Sequence, residues 1–114
     1  MQLLSDFQSP YQVITVDETR IDAATAVQFK DAMRSLVEQE TANVLLDLSR
    51  VDSIDSSGLG AVVAVMKFLG SGRTLELAGL RPKVQAVFRL TRMDHVIRIH
   101  ESRDSALEQV ARAS

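Results

Sequence analysis

Between Val44 and Leu69 the chain carries two apolar segments of unequal length, separated by a polar loop. The first, Val44-Leu45-Leu46 with Leu48, is short and bounded by polar residues. That is the pattern of a strand buried on both faces, which requires helices on both sides of its sheet. The second runs from Gly58 to Leu69 and is apolar almost all round. It is too long for a typical strand and too short to cross a bilayer. It therefore predicts a buried helix, or one whose outer face waits for a partner. A strand, a tight polar loop and a helix in that order define an α/β unit.

The flanking segments extend the pattern. Residues 3–7 and 11–16 read as short strands split by a turn at Ser9-Pro10, and Asp17 to Arg20 as a polar connection. Asp22 reads as an N-cap with the helix running from Ala23, its apolar face formed by Ala26, Phe29, Met33, Leu36 and Val37. Thr74 to Ala78 is the next strand. Arg81-Pro82 opens a helix with proline in its first turn, with Val84, Val87, Phe88 and Leu90 inward. Val96, Ile97 and Ile99 predict a last strand. Ser102 caps a final helix with Ala106, Leu107, Val110 and Ala111 inward and Asp104 near its positive end. Met33, Met66 and Met93 lie in apolar contexts and read as core. The expected fold is a single α/β domain over residues 1–114, a small mixed sheet of four to five strands flanked by about four helices.

Several function classes are disfavoured. The chain has 114 residues and a formal charge of -2, with no long basic run, so nucleic acid is not an expected partner. It has no cysteine, hence no disulfide frame, thiolate zinc site or thiol nucleophile. Leu3 and Leu4 are followed at once by Asp6, which does not read as a secretory signal. A cytoplasmic protein without membrane insertion is expected. His95 and His100, five positions apart, do not read as a shared metal site, and surface or edge positions are expected for both. No Gly-x-Ser-x-Gly elbow and no phosphate-binding Gly-Lys-Ser/Thr loop occur, so neither a serine hydrolase nor a P-loop ATPase is expected. No catalytic residue, metal or cofactor is assigned.

The informative stretch is the loop Asp55-Ser56-Ser57-Gly58-Leu59-Gly60. It lies between the buried strand and the apolar helix, where unpaired N–H groups and a partial positive charge tolerate an anion. The glycines permit close approach of another backbone or a phosphate. A phosphorylated serine there would carry roughly -1.5 to -2 charges, and a partner docked near Asp22 and Asp55 would meet new bulk and like-charge repulsion. Read alone, the serine pair is more simply a plain N-cap, since caps are common.

The stretch Ile54 to Gly60, preceded by Val44 to Ser49, closely resembles the STAS domain of bacterial anti-sigma-factor antagonists. Ile21-Asp22 with Thr25-Ala26 is similar to the family's Leu-Asp-x-x-Thr-Ala segment, and Thr74 to Ala78 and Arg81 to Val84 to its later strand and helix start. The resemblance implies that Ser56 is phosphorylated by a serine-kinase anti-sigma factor, with Ser57 as runner-up acceptor. The unphosphorylated form would bind that kinase, and a metal-dependent phosphatase would reset the serine. Asp22, Asp55, Ser56, Ser57, Gly58, Leu59 and Gly60 would form the contact surface. Two positions depart from the family. Thr19 stands where it usually has glycine, which implies a contact loop of different shape. Arg92 also replaces a usual glycine, and a non-glycine in a left-handed cap costs about 1 kcal/mol. A STAS subunit docking a membrane transport assembly without phosphoserine is the alternative binding module. A hydrolase using Ser56 and a histidine is the alternative from another class.

Overall fold

The run after Asn43 forms the central strand of the fold in the computed structural model, which describes residues 1–113. The strands are β1 (Leu3–Gln8), β2 (Tyr11–Val16), β3 (Arg20–Ile21), β4 (Asn43–Asp47), β5 (Ser53–Ile54), β6 (Leu75–Ala78) and β7 (Arg98–His100). The helices are α1 (Ala26–Val37), α2 (Ser56–Leu69), α3 (Pro82–Leu90) and α4 (Arg103–Ala113), with a 3₁₀ turn at Met93–His95. A five-stranded sheet has the order β1-β2-β4-β6-β7. β1 is antiparallel to β2, and the remaining neighbours are parallel. The β1–β2 turn contains a cis Ser9–Pro10 bond.

Strand alternation divides the interior in two. Ile14, Val16, Val44, Leu46, Leu75 and Leu77 face the helices α1, α2 and α3, which contribute among others Phe29, Met33, Val62, Val65 and Phe88. Tyr11, Val13, Leu45 and Ala78 face the other way, where Ala106 of α4 covers them with Leu107 and Val110. Each large side chain so buried stabilises the fold by about 1.5–3 kcal/mol relative to exposure. Both faces of β4 are thus closed, as its continuous apolar run requires. Met66 and Met93 are half-buried against the larger core, and Met33 is fully inside.

The structure corrects several expectations. The polar stretches before Ile21 and after Asp52 are not simple loops: β3 and β5 pair in parallel as a separate two-stranded sheet. Strands of two residues have no periodicity to read. Helix α1 begins at Ala26 rather than Ala23, because a turn intervenes in which Thr25 N and Ala26 N donate to Asp22 O at 3.0 and 2.7 Å. Leu90 points outward, 82% exposed, and Val96 lies outside the last strand, 61% exposed. Ala111 is exposed as well. His100 lies on an edge strand, one of the two positions expected for it, but is buried there.

Other readings hold. Pro82 opens α3. Ser102 Oγ accepts from Ser105 N at 3.0 Å at the head of α4, and Ser105 Oγ accepts from Ser102 N at 3.2 Å. Arg92 has φ 61°, the left-handed conformation that a glycine adopts without strain. Thr19 has no such φ, since Arg92 is the one non-glycine with positive φ among the described residues. Its carbonyl instead accepts from Asp52 N at 2.7 Å, tying the residue before β3 to the residue before β5.

Candidate functional site

The two-stranded sheet places the Asp55 loop. Because β3 and β5 run side by side, their C-terminal ends, Asp22 and Asp55, emerge together. Asp55 is the N-cap of α2. One carboxylate oxygen accepts from Gly58 N at 2.9 Å and the other from Ala23 N at 3.1 Å. A single side chain therefore ties the head of α2 to the turn before α1. The Gly58 N–H, with help from those of Ala23 and Ser57, holds the Asp55 carboxyl below its ordinary range against a smaller desolvation penalty. The group is an anion at neutral pH.

Asp22 is organised by its own turn. Its carboxylate accepts from Ala24 N at 3.1 Å and lies 3.9 Å from Arg20 Nε. Thr25 Oγ1 accepts from Asp22 N at 3.0 Å. Asp22 thus caps the turn, not the helix, and its remaining surface faces outward beside Asp55.

Ser56 and Ser57 occupy the first turn of α2, and both are exposed. Asp55 takes the capping role, so the plain reading of the pair as caps fails. Neither hydroxyl has a hydrogen-bond partner among the described residues. Ser57 also lines an open depression of about 240 Å³ between α1 and α2, with Val27, Lys30, Gly60 and Ala64.

The two loop glycines differ. A Cβ on Gly58 would lie 2.1 Å from Ile21 O and 2.7 Å from Ile54 Cγ1. Gly58 is therefore needed for contact between the protein's own backbones, and it is buried, so it offers no surface to a partner. Around Gly60 an added Cβ meets nothing within 4 Å. That position is open, and Leu59 beside it is half-buried. The expected contact surface thus reduces to Asp22, Asp55, Ser56, Ser57, Gly60 and part of Leu59. Further along α2, Phe68 is partly exposed, with the Arg34 guanidinium 4.8 Å from its ring centroid. Arg34 of α1 therefore shields some of the apolar outer face that the sequence leaves bare.

The histidines stand apart from the serines. His95 is exposed beside Asp94. His100 Nε2 lies 2.7 Å from Glu76 Oε1 under α4. No base contacts Ser56 or Ser57, so the arrangement needed for a serine nucleophile is missing among the described residues. No helix of the described residues is long and apolar enough to cross a membrane.

The STAS domain model matches residues 7–106, and the chain belongs to that family. It is 37% identical over 70 residues to a candidate anti-sigma factor antagonist of Thermotoga maritima, covering 60% of this chain and 62% of that protein. With the anti-sigma-B factor antagonist of Listeria monocytogenes it shares 34% over 80 residues, covering 69% and 70%. A crystal structure of a Thermotoga maritima anti-sigma factor antagonist candidate superposes with a TM-score of 0.80 at 26% identity, covering 96% of this chain and 94% of that one. The matched region spans about three fifths of the length of the Thermotoga relatives.

Proposed function

We propose that this chain is an anti-sigma-factor antagonist: a cytoplasmic binding module with no reaction of its own, switched by phosphorylation of Ser56. Its partner is a serine-kinase anti-sigma factor, and a metal-dependent phosphatase reverses the modification. The observation that carries this reading is the division of labour at the head of α2. Asp55 alone caps the helix, so an exposed serine hydroxyl stands at a helix N-terminus with no structural task. The antagonist names of the relatives point the same way.

The mechanism is electrostatic. The N–H of Gly58 is already taken by Asp55, so a phosphate on Ser56 does not enter an empty anion site. It adds roughly two negative charges beside two carboxylates, Asp22 and Asp55. The α2 dipole offsets part of that charge, so the domain keeps its fold. A partner seated over the loop loses its fit and meets repulsion. Discrimination of about 3 kcal/mol between the two forms corresponds to more than a hundredfold in affinity.

Intact-mass analysis and peptide mapping after incubation with ATP and lysate of the source cells test the switch. One phosphate on Ser56, absent in Ser56→Ala, is expected. Ser56→Ala captures the kinase constitutively in a pull-down, and Ser56→Asp binds it at least about tenfold more weakly by calorimetry. Phosphate on Ser57 alone moves the acceptor by one residue. No phosphate in a lysate with demonstrated kinase activity rejects the switch and favours a constitutive docking subunit.

A further inference from the structure

The outer face of α3 is unlike the rest of this acidic chain. From Arg81 to Met93 the sequence contains Arg81, Lys83, Arg89 and Arg92 and no acidic residue. Val84 and Phe88 turn inward, so Lys83 and Leu90, seven positions apart, share the outer face with Pro82 and Arg89 at helical spacing. All four are exposed. Arg81 is engaged with Asp52 at 2.6 Å, whereas Lys83, Arg89 and Arg92 have no carboxylate within ion-pair reach among the described residues.

Apolar surface accompanies the charge. Leu90 at the end of α3 and Val96 just after the following 3₁₀ turn are both large, exposed hydrophobics. At the other end of α3, Asp52, Arg81, Pro82 and Lys83 line an open depression of about 500 Å³. A solvated helix face gains nothing from an exposed leucine between unpaired arginines, whereas an interface that buries the leucine and neutralises the cations gains from both.

We propose that the outer face of α3, centred on Lys83, Arg89 and Leu90, docks an acidic amphipathic segment of a protein partner. Leucine-like side chains of that segment cover Leu90 and Val96, and its carboxylates meet Lys83, Arg89 and Arg92. Charge complementarity selects the sign of the partner. The apolar component and the absence of stacking aromatics on this face favour a protein over a nucleic acid. The surface is separate from Ser56 and does not depend on its phosphorylation. It is, however, mechanically close, since α3 packs against β5, the strand leading into the Asp55 loop.

Amide-resolved NMR titration of the labelled protein with a short helical peptide of glutamates and leucines tests the proposal. Shifts clustered between residues 82 and 96 are expected, weakened about tenfold by Lys83→Glu with Arg89→Glu and reduced by Leu90→Ala. They should also fall as salt shortens the Debye length from about 10 Å at 0.1 M towards 3 Å at 1 M. Thermal melts of the variants, all at exposed positions, establish that the fold is kept. No clustered shifts, or equal shifts from a polyglutamate peptide lacking leucine, overturn the proposal. So do equal shifts from phosphatidylglycerol vesicles or from a short DNA duplex, which reassign the face to another class of partner. Concentration-dependent shifts without any peptide overturn it in favour of a second copy of this chain.

Discussion

Three helices cover one face of the sheet and a single helix covers the other, and the two interfaces are built from different materials. Beneath α1, α2 and α3 lies a continuous apolar core that includes Phe29, Met33, Leu46, Val62 and Phe88. Beneath α4 the apolar patch is small. Beside it Tyr11 O–H donates to Glu76 Oε1 at 2.9 Å, and the same oxygen lies 2.7 Å from His100 Nε2. The candidate switch loop belongs to the first side, at the head of α2, whose Ala61, Val62, Val65 and Leu69 are buried in that core. A loop that must keep its geometry while gaining charge is best held by close packing, which cannot deform continuously. The α4 side is polar and half-open, and its stability rests more on hydrogen bonds whose net worth is small.

The sharpest way to break this contrast is to excavate both sides. Phe88→Ala removes a fully buried ring between α3 and the sheet and should cost about 3–5 kcal/mol. Leu107→Ala, at a half-buried position on the inner face of α4, should cost below about 2 kcal/mol. Urea denaturation of both variants gives the comparison directly. Equal losses would mean that the two faces contribute alike and that α4 is more than a lid.

A second pair of substitutions applies the contrast inside α2. Gly58→Ala drives a methyl group into Ile21 O, a backbone atom that cannot step aside without parting β3 from β5. Overpacking of this kind should cost about 1–3 kcal/mol and speed amide exchange in residues 20–23 and 53–58. Gly60→Ala sits two residues on in open space and should stabilise the helix by up to about 1 kcal/mol. If the two variants behave alike, close approach is not what Gly58 provides.

These particulars also mark where the sequence was readable. The Asp55 loop could be found because a cap, two glycines and an apolar helix are local features written in consecutive residues. That Asp55 rather than a serine does the capping depends on loop conformation, and both choices obey the same cap preference. β3 and β5 went unseen because two residues have no period, yet they bring Asp22 and Asp55 together. Leu90 follows Val87 at helical spacing and reads as core, but α3 ends there, beyond the sheet it could have packed against. His100 is buried on its edge strand with its ring against Glu76, a residue far back in the chain, and nothing in its own neighbours forecasts that pairing. Periodicity identified the helices and the core, while pairings between distant segments decided which polar side chains meet.

The smallest effect concerns the polar network under α4 and tests whether it is a working interface or a tolerated one. Burial raises the Tyr11 hydroxyl, helped by its hydrogen bond to Glu76 and by the negative charge of that carboxylate, with Arg98 opposing, and the group is pushed up to about 12 from an ordinary 10. The folded state therefore holds the proton more tightly than the unfolded chain. By linkage, this contribution is fully present below about pH 10 and drains away as the pH rises towards about 12. Tyr11→Phe deletes both the hydrogen bond and the titration. It should cost about 1 kcal/mol at neutral pH, and the variant should lose stability less steeply than the parent between pH 10 and 12. Parallel stability curves across that window would show that the hydroxyl is not protected in the fold. The α4 side would then be held by its few apolar contacts and the His100–Glu76 pair without help from Tyr11, and the contrast between the two faces would be closer to one of quantity than of kind.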